Sequence, residues 1–232
     1  MRSETTSSFS AYSRIKRSII DLTYSPGKRL SEASLADEFG IGRSPIRTAL
    51  ARLEGEGWIE VSPQSGTFVR TLSAREIDEL SELRAILEAH CVAVAVTQIS
   101  NDELDELGDA FRECRPKVRR GDAEAFIELD NQLHALLYRI AGNELIAETL
   151  IRLRDKVEWI RRACAVSSER VKEGFAEIEG IFDALMRRDV SAARERMKQH
   201  VENAARFCQM NAGRSRRSAR PTWAARKTRA LA

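Results

Sequence analysis

Apolar residues in the first third of the chain recur at the three-to-four-residue spacing of a helix. Residues 10–24 predict one helix, which ends at a Ser-Pro-Gly turn signal. A second segment, near 32–39, ends at Gly40, which suits a C-cap. A third begins after a tight turn, and we expect Ser44 to be its N-cap with Pro45 at its first position.

The pattern changes after Trp58, where short β-type runs flank a turn at 63–66. This change predicts a two-stranded hairpin. Three short helices followed by a hairpin are typical of a winged helix-turn-helix, which we place at residues 10–72.

From Ser73 onward every segment has helical periodicity, which predicts an antiparallel bundle over residues 73–211. The predicted fold is therefore mainly α, an N-terminal winged helix-turn-helix followed by a C-terminal all-helical bundle. The breaks in the pattern predict six helices, near 74–98, 102–119, 122–141, 144–164, 168–187 and 190–210.

Composition is that of a folded globular protein, with 43% hydrophobic and 31% charged residues among 232. No apolar run reaches the roughly 18 residues of a membrane helix, so no membrane partner is expected. The N-terminus lacks the apolar segment of a secretory signal. The four cysteines are far apart and form no CxxC pair, which favours reduced thiols and a cytoplasmic protein.

Charge is unevenly distributed although the net charge is only +3. Residues 212–232 contain seven basic residues and no acid, whereas 73–211 are net acidic. We expect disorder in residues 1–9 and in this tail. The tail is either an electrostatic arm for nucleic acid or a solvated extension.

Basic and hydroxyl side chains cluster on the outer side of the third helix. A helix N-terminus presents backbone N–H groups to phosphate, and arginine can contact guanine with two hydrogen bonds. A solvated helix face is the alternative, but the position beside a wing favours DNA contact. The cluster consists of Arg43, Ser44, Arg47, Thr48 and Arg52.

Residues 26–69 resemble the DNA-binding domain of the GntR family of bacterial transcription regulators. The matching landmarks are PG-x-R-L, LA-x-x-FG, R-S-P-x-R-x-AL-x-RLE-x-x-GW and a glycine at the wing tip. The helical remainder resembles the FCD-type ligand-binding domain of the FadR subgroup, with the helix count of the VanR branch.

The resemblance implies operator contacts by Arg43, Ser44 and Arg47, and entry of Gly66 into the minor groove. This sequence lacks the basic residue that often precedes the second helix. It also has Gly42 where Ser or Thr commonly donates to phosphate, so base recognition rests more heavily on the two arginines.

Three polar residues lie within apolar helical stripes of the second domain. Asp130 and His134 are one turn apart on one helix, and His200 lies inward on the last. Burying such groups without partners is costly, so they need each other, a metal or a bound ligand. The alternative to a metal site is a hydrogen bond between Asp130 and His134, with His200 as a core histidine that has a hydrogen-bond partner of its own.

The family resemblance implies that these three residues ligate one divalent metal, with zinc, nickel and manganese as candidates. A fourth ligand, a histidine in the metal-binding relatives, falls at Ile178, which cannot ligate. Three ligands can still hold a metal that keeps an open position for water or an effector carboxylate.

Two arginines are candidates to bind the carboxylate of an effector. Arg84 lies near the inward side of its helix with Glu88 one turn on, and Arg154 follows an apolar pair. The alternative for both is an ion pair, with Glu88 as the obvious partner of Arg84. His90 is expected on the surface.

These observations predict a bacterial DNA-binding transcription regulator that acts as a homodimer on palindromic operator DNA and responds to a small organic acid. An enzyme is disfavoured because no general base or nucleophile accompanies the candidate ligands. The alternatives left open are a metal-independent regulator and an architectural DNA-binding dimer without an effector.

Overall fold

The computed structural model describes residues 2–164 and 167–218, with side chains from 7 to 164 and from 167 to 211. The chain divides into two compact units. The first holds Met1–Ser73, Lys156–Cys164 and Asn211–Ala232, and the second holds Ala74–Asp155 and Ala165–Met210. The first break falls after Ser73, one residue beyond the boundary expected from the sequence, and the first unit also includes a segment expected in the bundle.

The first unit contains three helices and a small sheet before residue 73. A three-stranded antiparallel sheet has the order β1-β3-β2, so the predicted hairpin, β2 and β3, gains a third strand that the sequence did not indicate. The elements are α1 (Arg2–Ile20), β1 (Arg29–Leu30), α2 (Glu32–Phe39), α3 (Arg43–Gly55), β2 (Ile59–Ser62) and β3 (Gly66–Val69).

Two helix starts differ from the sequence predictions. Helix α1 begins at Arg2, so it takes in residues that we expected to be disordered, and it ends at Ile20. Helix α3 begins at Arg43 with Gly42 as its N-cap, so Ser44 is not the cap. The backbone N–H of Ile46 donates to the Gly42 carbonyl at 3.4 Å. The first turn of the helix therefore begins two residues earlier than predicted.

The core of the first unit includes a residue from far along the chain. Ile15, Ile46 and Leu53 are fully buried together with Trp58. Trp159 joins them, with its ring centroid 5.5 Å from that of Trp58. The end of a later helix therefore completes the hydrophobic core of the winged domain.

The helices after residue 73 match the predicted six closely. Each start lies within one residue of its predicted position, and the last helix continues to Ser218 instead of ending near 210. They are α4 (Ala74–Gln98), α5 (Asn101–Arg119), α6 (Ala123–Ala141), α7 (Glu144–Ala163), α8 (Ser168–Met186) and α9 (Val190–Ser218).

The helices of the second unit enclose an apolar core with α6 packed against α4, α5 and α8. Gly174 on α8 permits this approach, because a Cβ there would lie 2.6 Å from the ring of Phe126 on α6. Leu133, Leu137 and Ile178 are fully buried in this core. The tight contact between α6 and α8 brings their inward polar side chains toward a common centre.

No single helix among residues 2–164 and 167–218 is long and apolar enough to span a membrane. Helices α4 and α5 meet that criterion only as a pair, and they are bent by 120° with respect to each other. The four cysteines are buried and form no disulfide.

Candidate functional site

The candidate DNA-contacting side chains of α3 lie on its exposed surface. Arg43, Ser44, Arg47 and Thr48 are all exposed, whereas Ile46 on the opposite side is fully buried. The cap residue Gly42 has no side chain, so the first turn makes no side-chain cap hydrogen bond. The start of α3 therefore presents basic and hydroxyl groups to solvent.

A carboxylate from α2 holds Arg47. Glu32 accepts from Arg47 Nε at 3.0 Å and from Nη2 at 2.9 Å, in a bidentate pair with 72% of the Arg47 side chain still exposed. Hydrogen bonding to Arg47 lowers the pKa of Glu32 below its ordinary value. Glu32 and Arg47 therefore form an exposed ion pair between α2 and α3, a contact that the sequence reasoning missed.

Arg52 contacts two side chains of its own domain, Glu56 and Tyr12. Its Nε donates to Glu56 at 2.9 Å, and its guanidinium lies 3.8 Å from the centre of the Tyr12 ring. The Tyr12 hydroxyl donates to the same carboxylate at 2.7 Å. These contacts link α1 to α3, and they favour a packing role for Arg52 over the predicted DNA contact.

Gly66 lies at the first position of β3, at the predicted tip of the wing. Its φ of +114° is unfavourable for other residues, and a Cβ there would lie 2.8 Å from Arg29 Nε. Glycine is therefore favoured at this position by backbone conformation, and a Cβ would also have to displace the Arg29 side chain.

The second unit brings its three inward polar residues together. Asp130, His134 and His200 are 0%, 6% and 1% exposed, and one candidate ligand atom from each lies within 4.8 Å of the others. Asp130 Oδ1 is 3.1 Å from His200 Nε2 and 3.6 Å from His134 Nε2. Both imidazoles therefore direct Nε2 toward the same carboxylate.

The other ring nitrogen of each histidine faces a glutamate. His134 Nδ1 lies 3.0 Å from Glu88 Oε2, and His200 Nδ1 lies 2.9 Å from Glu177 Oε2. Carboxylates in this position set the orientation of a ligating imidazole and raise its basicity. The arrangement leaves Nε2 of each ring as the atom available to a ligand at the centre.

Each glutamate is in turn held by a buried arginine. Arg84 Nε donates to Glu88 at 2.8 Å, and Arg170 forms a bidentate pair with Glu177 at 2.9 Å for both bonds. The result is two series of side-chain contacts, each running from an arginine through a glutamate to a histidine. One joins α4 to α6 and the other joins α8 to α9, and both end at Asp130. We call this set the buried polar cluster.

Electrostatics in the cluster favour the charged forms. Burial raises the pKa of Glu88, but Arg84 and His134 outweigh it and the net shift is downward. Burial likewise opposes ionisation of Glu177, yet His200 and Arg170 hold its pKa at about 2. For His134, burial lowers the pKa, but Glu88 and Asp130 raise it to about 9.

The spacing of the three central residues fits a metal ion. Ligands at about 2.0–2.1 Å from a tetrahedral zinc lie roughly 3.3–3.4 Å from one another. The separations from Asp130 Oδ1 to the two Nε2 atoms, 3.1 and 3.6 Å, bracket that value, and the candidate ligand atoms all lie within 4.8 Å of one another. Nε2 of both His134 and His200 is buried and makes no hydrogen bond to any described residue, and for His134 the same is true of Nδ1, which has Glu88 at ion-pair distance. The side chains present therefore suit a divalent cation.

Neither of the two predicted effector-binding arginines is free inside the cluster. Arg84 is in the cluster but is engaged by Glu88, which is the ion-pair alternative. Arg154 is exposed on α7 and does not enter the cluster. Ile178, at the position of the fourth ligand, is fully buried, and His90 is exposed as predicted.

The sequence reasoning missed Glu177 and Arg170. Glu177 precedes Ile178 and so lies at the edge of the apolar stripe of α8. Its contact with His200 joins residues 23 positions apart on different helices. Only the packing of α8 against α9 shows that this glutamate belongs to the cluster.

Two family models match the chain. The model for the FCD domain matches residues 79–203, more than half of the chain, and the model for bacterial regulatory proteins of the gntR family matches residues 8–69. These ranges correspond to the helical bundle and to the winged domain.

Several curated relatives are regulators of similar length. The transcriptional repressor RspR of Escherichia coli is 28% identical over 82% of this chain and 84% of its own. The regulator YdhC of Bacillus subtilis is 27% identical over 83% and 86%. The matching families and relatives are transcriptional regulators, which confirms that the chain is not an enzyme.

Solved structures share the fold. Escherichia coli McbR/YncC superposes with a TM-score of 0.69 at 22% identity, covering 88% of this chain and 98% of that one. A GntR regulator from Rhodococcus reaches 0.71 at 21% identity, over 87% and 96%. A DNA-binding winged helix-turn-helix followed by an FCD domain identifies a transcriptional regulator, and the chain belongs to the GntR family in its FadR-type subgroup.

Proposed function

We propose that this regulator binds palindromic operator DNA as a homodimer, and that a small organic-acid effector in the FCD domain controls the binding. The observation that carries the proposal is the buried polar cluster, in which two imidazole Nε2 atoms converge on Asp130. A bundle that served only to dimerise would have no need for ionisable groups at its centre.

The DNA contacts that we propose come from Arg43, Ser44, Arg47 and Thr48 on α3 and from Gly66 on the wing. Exposure of the α3 side chains supports them, and Arg47 would exchange its surface pair with Glu32 for a contact with DNA. Two recognition helices about one DNA turn apart are needed to read a palindrome, and one copy of this chain has one such helix.

The effector site that we propose centres on Asp130, His134 and His200. These three would hold one divalent cation, which as a Lewis acid would accept an effector carboxylate at its open position. Glu88 and Glu177 would hold the imidazoles in place. Because Arg84 already pairs with Glu88, the carboxylate would be bound mainly by the metal and not by arginine.

A metal-independent regulator is the second candidate, and the charge balance of the cluster favours it. The carboxylates of Glu88 and Asp130 outweigh the effect of burial and raise the pKa of His134, which favours the protonated imidazole when no metal is bound. A protonated His134 would lie between the carboxylates of Glu88 and Asp130, and it would compensate the charge of Asp130 that a cation at the centre would otherwise compensate. In this case the histidine proton takes the place of the metal.

Metal content separates these two candidates. If the metal proposal is right, the purified protein carries metal that EDTA removes, and the purified His134→Ala variant carries none. His90→Ala is the matched control, since that histidine is exposed in the same unit. Ile178→His adds an imidazole at a buried position and should tighten metal binding. If the protein holds no metal after incubation with zinc, nickel or manganese, the metal proposal is wrong and the metal-independent regulator remains.

Effector control is tested by a thermal-shift screen of small carboxylic acids, with and without EDTA. A stabilising acid should also change affinity for a duplex selected from a random pool by the parent protein. His134→Ala should lose the response to that acid. An acid that stabilises the protein without changing DNA affinity would contradict effector control.

The recognition helix is tested with Arg47→Ala. Loss of a base contact should weaken specific binding by about 1–3 kcal/mol and reduce the preference for the selected duplex over random DNA. Arg17→Ala is the matched control, because Arg17 is also exposed and also paired with a carboxylate. If Arg47→Ala binds the selected duplex with the affinity of the parent, and random DNA with the affinity of the parent, this placement of the recognition helix is wrong.

A further inference from the structure

Arg29 is an exposed arginine on a short strand of the winged domain. It is the first of the two residues of β1, which is an outer strand of the sheet in the order β1-β3-β2. Leu30, the second residue of β1, is buried in the core. Because successive side chains of a strand point to opposite faces, burial of Leu30 holds β1 in place while Arg29 remains in solvent.

The guanidinium of Arg29 lies beside the glycine at the tip of the wing. Strands β1 and β3 are antiparallel with Arg29 opposite Phe68, so Gly66 is a diagonal neighbour within reach of a long side chain. A Cβ on Gly66 would lie 2.8 Å from Arg29 Nε, 3.3 Å from Nη2 and 3.5 Å from Cζ. The missing side chain of Gly66 therefore provides the room that the guanidinium occupies.

The charge of Arg29 has no partner among the residues that the structure describes. Its side chain makes no hydrogen bond or ion pair with any residue in 2–164 or 167–218. Glu60 lies on the far side of Phe68 in the register of the sheet and is not paired with it. Carboxylates hold three other exposed arginines of this domain, in the pairs Arg17–Asp21, Arg47–Glu32 and Arg52–Glu56. Arg29 therefore presents an uncommitted set of hydrogen-bond donors at the wing tip.

We propose that Arg29 is the side chain with which the wing reads DNA, and that its guanidinium enters the minor groove beside Gly66 and selects A·T base pairs. The inference rests on the proposed function, in which the wing contacts DNA, and it names the group that gives this contact its sequence preference. Gly66 has no side chain and reads no base. Its role is to let the backbone and the Arg29 guanidinium approach the groove together.

The chemistry of the minor groove determines which base pair is selected. An A·T pair presents only acceptors there, adenine N3 and thymine O2, whereas a G·C pair adds the amino group of guanine, which is a donor. A guanidinium has donors and no acceptor, so it bonds to the A·T edge and is opposed by the guanine amino group. A-tracts also have a narrow minor groove whose negative potential attracts arginine.

A base analogue tests this contact without altering the major groove. Diaminopurine pairs with thymine and differs from adenine by one amino group in the minor groove. Each adenine of the duplex selected by the parent protein is replaced in turn, and the dissociation constant is measured by fluorescence anisotropy. Replacement under the wing should weaken binding by the parent about tenfold, and binding by Arg29→Ala less than about twofold.

Two further variants separate base recognition from charge. Lys28→Ala is the matched control, because Lys28 is the neighbouring exposed cation but its Nζ contacts the Thr23 carbonyl and lies over the Tyr24 ring. This variant should keep the full effect of diaminopurine. Arg29→Lys keeps the charge and loses the planar fork of donors, so it should retain the salt dependence of binding and lose most of the discrimination. Thermal unfolding like that of the parent shows that each variant is folded.

The proposal is overturned if Arg29→Ala keeps the parent's sensitivity to diaminopurine, or if the parent shows none at any adenine. It is also overturned if Arg29→Ala weakens binding to every duplex equally, because Arg29 then contacts phosphate and reads no base. Arg47→Ala tests the proposed function separately. If that variant loses its preference for the selected duplex, the recognition helix stands and only the role of Arg29 fails. If neither arginine affects DNA binding, both proposals fail.

Discussion

Replacing Glu88 by glutamine removes one negative charge from the buried polar cluster with little change in shape. Glu88 is fully buried, and its Oε1 accepts from Arg84 Nε at 2.8 Å and from the Tyr138 hydroxyl at 2.9 Å. Glutamine leaves the guanidinium of Arg84, itself 8% exposed, without a counter-charge. Breaking a buried pair in this way costs about 3–5 kcal/mol.

That cost is a large part of a total stability of about 5–15 kcal/mol. For a chain of this size, each kcal/mol lowers the melting temperature by about 2–4 °C, so we expect a decrease of roughly 6–20 °C. Thermal unfolding followed by circular dichroism measures it. The result decides whether the negative charge of Glu88 stabilises the fold.

Two variants show whether charge is the cause. Tyr138→Phe removes one hydrogen bond to the same oxygen and should cost only about 1 kcal/mol. The double replacement Arg84→Met with Glu88→Leu removes both charges and should recover only part of the loss, because the Tyr138 hydroxyl and His134 Nδ1 then lose their carboxylate. A Glu88→Gln variant within about 1 kcal/mol of the parent would refute the buried ion pair.

Gly66→Ala should destabilise the first unit by about 1–3 kcal/mol in denaturant, because its φ is +114° and a Cβ would meet Arg29; unchanged stability would contradict the strain. Hydrogen bonds from the Ser100 backbone and Arg139 hold the pKa of Glu103 at about 2, against an ordinary 4.5, so its stabilisation is complete above about pH 4.5 and is lost as pH falls toward 2. Glu103→Gln should weaken that acid dependence, measured by unfolding against pH, whereas the exposed Glu106→Gln should not. Truncation after Asn211 should lower the salt dependence of DNA binding without changing sequence preference; an unchanged slope would favour a solvated tail.

The predictions that the structure confirms rest on local signals. Helix boundaries follow from periodicity and caps, as at Gly40, which ends α2 with φ +64°, and at Ser100, which caps α5. The inward direction of Asp130, His134 and His200 follows from the same periodicity, because helical spacing determines which side of a helix a residue occupies.

The remaining features depend on contacts between distant segments. Strand β1 has two residues, and its pairing with β3 joins positions almost forty residues apart. Trp159 looks like an ordinary inward residue of α7, and its place in the core of the winged domain follows only from tertiary packing. Residues 219–232, most of the basic tail, lie outside the described residues.

The candidate site shows the same division between sequence and structure. The sequence alone determined that three ionisable groups face inward, and that Ile178 stands where a fourth ligand is found in the metal-binding relatives. Only the tertiary structure decided that Glu88 and Glu177 hold the two imidazoles and that Arg84 is already paired. Periodicity specifies the direction in which a side chain points, whereas the group that it meets there belongs to another helix and is set by packing.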